Sequence, residues 1–105
     1  MENTCKTYWA KIYIAGPIDV AKQVLRLLAK KKGMCVTIEP TTFIYTGGEE
    51  EGYVVGLINY PRFLRTEKEI WDAAIELAHT LREQTGQDSF TVMAPDNTFW
   101  CTDRQ

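Results

Sequence analysis

Apolar and polar residues alternate in two segments of the chain, one near each end, and this pattern predicts strands. Residues 10–15 alternate with a period of two and end at Gly16-Pro17, which is typical of a strand followed by a turn. Residues 89–94 alternate in the same way before the turn-forming segment Pro95-Asp96-Asn97. We expect the following segment, 98–102, to form either a short fifth strand or a tail packed on the body.

Two other segments carry the apolar spacing of amphipathic helices. The predicted buried face of the first helix consists of Val20, Val24, Leu27 and Leu28. Asp19 is its predicted N-terminal cap, and Gly33 follows where a left-handed residue is favoured. The second helix begins with a capping box formed by Thr66 and Glu69 and ends at Gly86. Its predicted buried stripe consists of Ile70, Ala74, Leu77 and Leu81, widened by Trp71, Ile75 and Ala78.

A hairpin is predicted between the two helices. Residues 34–46 and 53–60 are rich in β-branched and aromatic side chains, and Pro40 marks an edge position or a bend in the first arm. The polar, glycine-rich segment 47–52 is predicted to connect the arms. Its three adjacent glutamates could bind a cation, but a solvated tip that discourages aggregation is the favoured interpretation.

The predicted order is therefore β-α-β-β-α-β, and residues 1–105 form a single α+β domain. This order indicates a ferredoxin-like split βαβ sandwich, with two helices on one face of a four-stranded antiparallel sheet. The first and third strands are expected to be central. The alternative is a meander with the helices at one end.

The composition removes several classes of function. The chain has 45% hydrophobic and 25% charged residues and a formal charge of -2, as expected for a folded globular domain. Its basic residues are dispersed, so nucleic acid is not an expected partner. The longest apolar stretches are too short to cross a bilayer, and the N-terminus lacks the apolar core of a signal peptide. We expect a cytoplasmic protein with no membrane partner.

Cysteine and histidine usage predicts neither a metal site nor a cofactor. The three cysteines Cys5, Cys35 and Cys101 are an odd number without a CxxC pair, which favours reduced thiols. The single histidine, His79, lies beside the predicted buried stripe of the second helix and is interpreted mainly as a packing residue. Ser89 is the single serine, and it lacks a G-x-S-x-G context.

The segment Lys11-Ile12-Tyr13-Ile14-Ala15-Gly16-Pro17 resembles the opening strand of the nucleoside deoxyribosyltransferase family, in which a Y-x-[AS]-G-P segment leads into the nucleoside pocket. The resemblance implies a doubly wound α/β fold and a catalytic glutamate in a G-T-x-x-E-x-G segment preceded by an aspartate. Here residues 46–52 echo that segment only loosely and lack the preceding aspartate. A nucleoside-processing enzyme is therefore kept as a less favoured alternative.

The predicted topology is also similar to that of the RNA recognition motif, whose third strand presents stacked aromatic residues. In this chain residues 51–56 keep Gly52 and Tyr53 of that strand's pattern. Glu51 replaces the basic residue and Val55 replaces the next aromatic residue, which makes a poor platform for stacking bases. RNA binding is not predicted.

The favoured hypothesis is a small non-catalytic binding or regulatory protein. It is expected to engage itself and a protein partner or small ligand through its sheet face or hairpin. The predicted binding residues are Tyr13, Tyr53, Val55, Leu57 and Met93. The alternative is a small-molecule enzyme of the dimeric α+β barrel type. In that enzyme Tyr13 and His79 would handle protons, while Glu39 or Asn59 would orient a ligand.

A homodimer is predicted from the central strand, because residues 53–60 are apolar on both faces. Val55 and Leu57 point to one side of that strand, whereas Val54 and Ile58 point to the other. A second copy or another partner is expected to cover the face opposite the helices. The competing hypothesis is that the C-terminal segment 99–101 folds back and covers that face within one chain.

Overall fold

Two helices pack on one face of a five-stranded antiparallel sheet in the computed structural model, which describes residues 2–103. The elements follow one another as β1 (Trp9–Ala15), α1 (Ile18–Lys32), β2 (Thr37–Tyr45), β3 (Gly48–Ile58), α2 (Glu67–Thr85), β4 (Ser89–Met93) and β5 (Thr98–Thr102). The spatial order is β2-β3-β1-β4-β5, which confirms the predicted α+β fold with β1 and β3 inside the sheet. The doubly wound fold implied by the deoxyribosyltransferase resemblance is not adopted.

The core lies between the helices and one face of the sheet. Ala10, Ile12 and Ile14 of β1 point toward the helices and are 0–1% exposed. The register places Leu57, Val55 and Tyr53 of β3 directly beside them. Because side chains alternate between the faces of a strand, the residues between these point away from the helices. We call that second surface the open face.

The C-terminal segment forms the fifth strand and extends the sheet. β5 pairs with β4 from Ser89–Thr102 to Met93–Thr98. The hypothesis that residues 99–101 fold back over the open face is therefore wrong, because the backbone of this segment is hydrogen-bonded in the plane of the sheet. Neither helix in the described part of the chain is long and apolar enough to cross a bilayer.

The β2–β3 hairpin is tighter than the glycine-rich segment predicts. Its turn consists of Thr46 and Gly47, and Gly47 has a φ of 92°, a conformation that glycine adopts without strain. The three glutamates expected at the tip belong to β3 instead. Each pairs across the hairpin, and the carboxylate of Glu51 accepts hydrogen bonds from the Thr42 hydroxyl at 2.9 and 3.1 Å.

Helix α1 is rotated relative to its predicted buried face. Its fully buried residues are Ala21 and Leu25, whereas Val20 is 41% and Leu27 71% exposed. The small Ala21 contributes little to a hydrophobic pattern, so the sequence favoured the larger neighbours instead. The helix starts after Pro17, and Asp19 lies in its first turn rather than at the cap. There its charge still complements the helix dipole.

Helix α2 matches its prediction closely. The Thr66 hydroxyl accepts from the Glu69 N–H at 3.1 Å, and the Glu69 carboxylate accepts from the Thr66 N–H at 2.9 Å. Gly86 ends the helix in the left-handed conformation. The predicted stripe is buried, and its fully buried members are Ile70, Ala74, Leu77, Ala78 and Leu81. This helix covers β1, β3 and β4 and fixes which face of the sheet is left open.

Candidate functional site

The open face presents one row of side chains across all five strands. Tyr13 of β1 lies between Val54 of β3 and Thr91 of β4. Beyond them, Glu39 pairs with Val54 and Trp100 pairs with Thr91. The row thus runs from a carboxylate on β2, through the Tyr13 ring at its centre, to an indole on β5. This row borders a gap in the sheet.

The gap is a cleft between β1 and β4. Pairing of these strands ends at Tyr13–Thr91, whereas β1 stays paired with β3 as far as Ala15–Gly52. The two strands therefore diverge and leave a cavity of about 360 Å³. We call it the β1–β4 cleft, and the residues that define its chemistry are Tyr13, Ala15, Phe43, Tyr45, Glu50, Gln87 and Ser89.

The backbone of Ala15 contributes polar groups to this cleft. The Gly16 N–H donates to the Glu51 carbonyl at 3.1 Å, so the main chain at Gly16 faces β3. Because successive residues of a strand point their N–H and C=O groups in opposite directions, those of Ala15 face β4. Ala15 has no ladder partner on β4. One backbone donor and one acceptor are consequently directed into the cleft.

The aromatic wall of the cleft depends on a glycine. A Cβ atom at Gly52 would lie 2.5 Å from Cε2 of Phe43 and 2.5 Å from the carbonyl oxygen of Ile14. Phe43 therefore occupies the space that any side chain at position 52 would need, and its ring reaches over β3 toward β1. Together with Tyr13 and Tyr45, this ring gives the cleft three aromatic side chains from the open face, and Phe90 of β4 also lines it.

Glu50 gives the cleft its negative charge. It pairs with Phe43 across the hairpin, so both side chains lie on the same face. Within residues 2–103, no lysine or arginine forms an ion pair with Glu50. On the opposite rim, the Gln87 side chain lies against Gly16, where a Cβ atom would come within 2.8 Å of Nε2. The cleft is thus an aromatic cavity with an acidic and an amide rim.

The residues predicted for an enzyme do not form one site. Tyr13 and Glu39 share the open face but are separated by Val54. His79 lies on the helix side, where its ring packs edge-on against Phe90 at 5.0 Å between centroids. Asn59 is a structural residue. Its side-chain amide donates to the Lys6 carbonyl at 2.9 Å, and its side-chain oxygen accepts from the Arg65 N–H at 2.9 Å.

The predicted binding residues divide between the two faces of the sheet. Tyr13 and Met93 lie on the open face, and Met93 is 37% exposed. The other three, Tyr53, Val55 and Leu57, lie beneath the helices with exposures of 0%, 0% and 6%. The prediction that these three residues contact a partner is therefore corrected. The apolar residues of β3 on the open face are Val54 and Ile58.

Sequence reasoning missed Phe43, Tyr45, Glu50 and Gln87. The available signal was the alternation of Phe43 and Tyr45 in β2, which places both rings on one face. The sequence predicts a loop for the segment that contains the three glutamates, and a loop position does not bring Glu50 beside those rings. Among the described residues, no group of three or more histidine, cysteine, aspartate or glutamate side chains could hold a metal ion.

Comparison with known proteins adds a likeness of fold. No family model and no curated protein matches the chain. A phage S-adenosylmethionine (SAM) lyase in the apo state has a TM-score of 0.70 and 17% identity, covering 100% of this chain and 97% of that chain. A phage SAM lyase in complex with S-methyl-5'-thioadenosine has a TM-score of 0.73 and 16% identity, over 97% and 94% of the two chains.

A point mutant of CutA1 from Pyrococcus horikoshii has a TM-score of 0.45 and 18% identity, over 95% of this chain and 86% of that chain. The phage SAM lyase structures therefore have the higher TM-scores of these neighbours. At identities of 16% and 17%, their likeness to this chain is one of fold, and it extends over nearly the whole length of both proteins.

Proposed function

We propose that the chain binds an adenosyl sulfonium, or the thioether derived from it, in the β1–β4 cleft. The two ligands proposed are SAM and S-methyl-5'-thioadenosine. The observation that carries this proposal is a combination of three features: three aromatic side chains of the open face, the Glu50 carboxylate, which forms no ion pair within residues 2–103, and the backbone groups of Ala15 that face β4. The volume of about 360 Å³ lies within the range of roughly 300–1,000 Å³ that is usual for small-molecule sites.

Each part of such a ligand has a matching group in the cleft. A purine base can stack on an aromatic ring, an interaction of about 1–3 kcal/mol per base. The N–H and C=O groups of Ala15 can bond to the donor and acceptor atoms on the edge of the base. A sulfonium cation is attracted to aromatic faces and to a carboxylate, which Tyr13 and Glu50 supply.

Two likenesses support this assignment. The phage SAM lyase shares the fold over nearly all of this chain, and one of its structures holds S-methyl-5'-thioadenosine. The segment Tyr13-Ile14-Ala15-Gly16-Pro17 resembles the strand that leads into the nucleoside pocket of the deoxyribosyltransferases. Tyr13, Ile14 and Ala15 all line the cleft. Neither likeness identifies the ligand, so the proposal is tested by direct binding.

Turnover is a further part of the same proposal. Formation of S-methyl-5'-thioadenosine from SAM breaks the bond between sulfur and the γ-carbon of the amino-acid chain, with both electrons moving to sulfur. The γ-carbon must form a new bond in the same step, and the carboxylate of the ligand itself can supply it, which releases the amino-acid part as a lactone. A sulfonium leaves as a neutral thioether without taking up a proton, so this step does not need a general acid. A binding protein without catalytic activity would instead leave SAM intact. Analysis of the products distinguishes turnover from binding alone.

The decisive experiment compares two neighbouring glutamates. Glu50 lies on the open face with Phe43, whereas Glu49 pairs with Ile44 on the opposite face of the hairpin. We expect Glu50→Gln to weaken SAM binding by about two- to fivefold, as for a partly exposed ion pair, and to leave binding of the neutral thioether unchanged. Glu49→Gln makes the same charge change and should alter neither affinity. Isothermal titration calorimetry measures both ligands.

A second pair of measurements completes the test. Phe43→Leu should weaken both ligands by roughly fivefold or more, because both contain the stacked base. Chromatography of SAM incubated with the protein then shows whether the thioether accumulates faster than in buffer. The proposal is contradicted if neither ligand binds, or if Glu49→Gln and Glu50→Gln have the same effect on both affinities.

Self-association through the open face is a second candidate function. Four large hydrophobic side chains on this face are exposed: Trp100 by 63%, Tyr45 by 54%, Ile58 by 46% and Met93 by 37%. Apolar side chains grouped on a sheet face are typical of a surface that contacts a partner. A homodimer formed there would give a molar mass that rises with protein concentration in gel filtration coupled to light scattering, whereas a constant monomer mass would exclude it.

A further inference from the structure

A second cavity lies at the other end of β1. It has a volume of about 370 Å³ and lies between the start of β1, the first turn of α2 and the turn that joins β4 to β5. Its most distinctive lining residues are Tyr8, Trp9, Trp71, Glu67 and Asp96. We call it the indole pocket. Trp9 and Ala15 mark the two ends of β1, so the indole pocket and the β1–β4 cleft are separated by roughly 20 Å along the strand.

The aromatic side chains of this pocket are partly buried but accessible. Tyr8, Trp9 and Trp71 are all intermediate in exposure, and Tyr8 and Trp71 also pack against the core. The Lys11 ammonium group lies 5.5 Å from the centre of the Trp9 ring. That ring is therefore within cation–π distance of a positive charge of this chain, so a bound cation has to contact the other face of the ring or displace Lys11. Two indoles and a phenol around one cavity resemble the aromatic surroundings that proteins use for organic cations.

The charges around the pocket also favour a cation. Neither Glu67 nor Asp96 forms an ion pair within the part of the chain that the structure describes. The one lysine of the lining, Lys68, is paired with Asp72 in the next turn of α2, a contact that raises the pKa of Lys68. Glu67 is partly compensated by the dipole of α2. Asp96 lies in the β4–β5 turn and has no such compensation.

We propose that the indole pocket binds an organic cation of the quaternary ammonium or methylated amine class. Such a cation is large and weakly hydrated, so it exchanges water for aromatic faces at little cost, whereas a small metal ion needs more oxygen ligands than two carboxylates supply. The inference uses different residues from the β1–β4 cleft and does not depend on the function proposed for it.

Tryptophan fluorescence provides a direct test, because Trp9 and Trp71 are two of the three tryptophans. In a Trp100→Phe background the signal comes from the pocket alone. The probe is choline, and its control is the neutral alcohol in which carbon replaces the choline nitrogen. We expect a saturable fluorescence change with choline and binding of the alcohol at least about fivefold weaker. Equal affinities would overturn the proposal, because the pocket would then recognise only shape.

Charge variants sharpen the test without disturbing the core. Asp96→Asn and Glu67→Gln change exposed residues, and each should weaken choline binding about two- to fivefold while leaving the neutral alcohol unaffected. Glu83→Gln makes the same change near the other end of α2 and should have no effect. Trp71→Leu removes one ring and should weaken the binding of choline by a similar factor. If Glu83→Gln matched Asp96→Asn and Glu67→Gln, the effect would be one of net charge and the site would be refuted.

Discussion

The two faces of β1 are built from alternate residues of one strand, yet their environments differ sharply. On the helix side, Ala10, Ile12 and Ile14 are completely or almost completely buried. On the open face, Tyr13 remains partly exposed and Lys11 is exposed. The first set contains only aliphatic side chains, whereas the second combines aromatic and charged groups. The same strand thus supplies the core with one set and the candidate sites with the other.

This division means that stability and binding can be altered separately. Side chains under the helices have little access to a ligand, and those on the open face contribute less buried apolar area to the fold. Substitutions on the helix side should therefore change the free energy of unfolding, and substitutions on the open face should mainly change affinity. Three matched pairs of substitutions, each of one buried and one more exposed residue, test the stability part of this separation, in order of decreasing expected effect.

The largest effect is expected for a leucine in the stripe of α2. Leu77 is 3% exposed, and Leu77→Ala should lower the free energy of unfolding by about 2–5 kcal/mol through lost burial and a cavity. Leu27 on α1 is 71% exposed, so Leu27→Ala should change stability by about 0.5 kcal/mol or less. Urea unfolding measures both variants. Equal losses would show that the buried face of the helices is misplaced.

Sequence analysis succeeds where the signal is local and fails where an element depends on tertiary packing. The alternation of β1 and the capping box of α2 are local signals, and both elements formed where they were predicted. The buried face of α1 was misplaced because it depends on Ala21, a small residue that is buried through tertiary packing. The fifth strand was an open alternative, because five residues without a pairing partner carry too little pattern to decide.

The candidate site was harder to predict because it depends on pairing between distant segments. The β1–β4 cleft exists because pairing stops at Tyr13–Thr91, and no local pattern encodes where two strands diverge. Phe43 reaches the cleft only because Gly52 on the neighbouring strand lacks a side chain. A shift of one residue in the register of a strand also moves all its side chains to the other face, and for this reason the sequence predicts Val55 instead of Val54 as a contact residue.

The second pair compares adjacent valines of β3 that point to opposite faces. Val55 is 0% exposed beneath the helices, and Val55→Ala should lower the free energy of unfolding by about 2–3 kcal/mol. Val54 is only partly buried on the open face, and Val54→Ala should lower the free energy of unfolding by about 1 kcal/mol or less. Urea unfolding at low and high protein concentration adds a further distinction. If a second copy covers the open face, the effect of Val54→Ala grows with concentration, and otherwise it stays constant.

The smallest expected effect is also the one with an unusual sign. The Tyr53 hydroxyl is buried and forms no hydrogen bond of acceptable geometry in the described part of the chain, although the Thr85 hydroxyl lies close enough to affect its pKa. Removing it in Tyr53→Phe eliminates an unsatisfied polar group and keeps the ring, so stability should be unchanged or rise by up to about 1 kcal/mol. A loss larger than about 1 kcal/mol would instead show that the hydroxyl is satisfied, for example by buried water.

Tyr53→Phe and its matched variant Tyr13→Phe should differ in how their stability responds to alkaline pH. Burial raises the pKa of Tyr53 above its usual value of 10.0, and the nearby Thr85 hydroxyl offsets this rise only in part. The unfolded chain therefore releases the Tyr53 proton first, so stability is complete below that usual pKa and falls as the pH rises through and above it. Tyr53→Phe lacks this component and should lose less stability between pH 9 and 11, roughly the interval around the usual tyrosine pKa. Tyr13→Phe, the same change on the open face, retains Tyr53 and should follow the parent. Urea unfolding across this interval measures all three proteins, and identical slopes for Tyr53→Phe and Tyr13→Phe would contradict the burial of the Tyr53 hydroxyl.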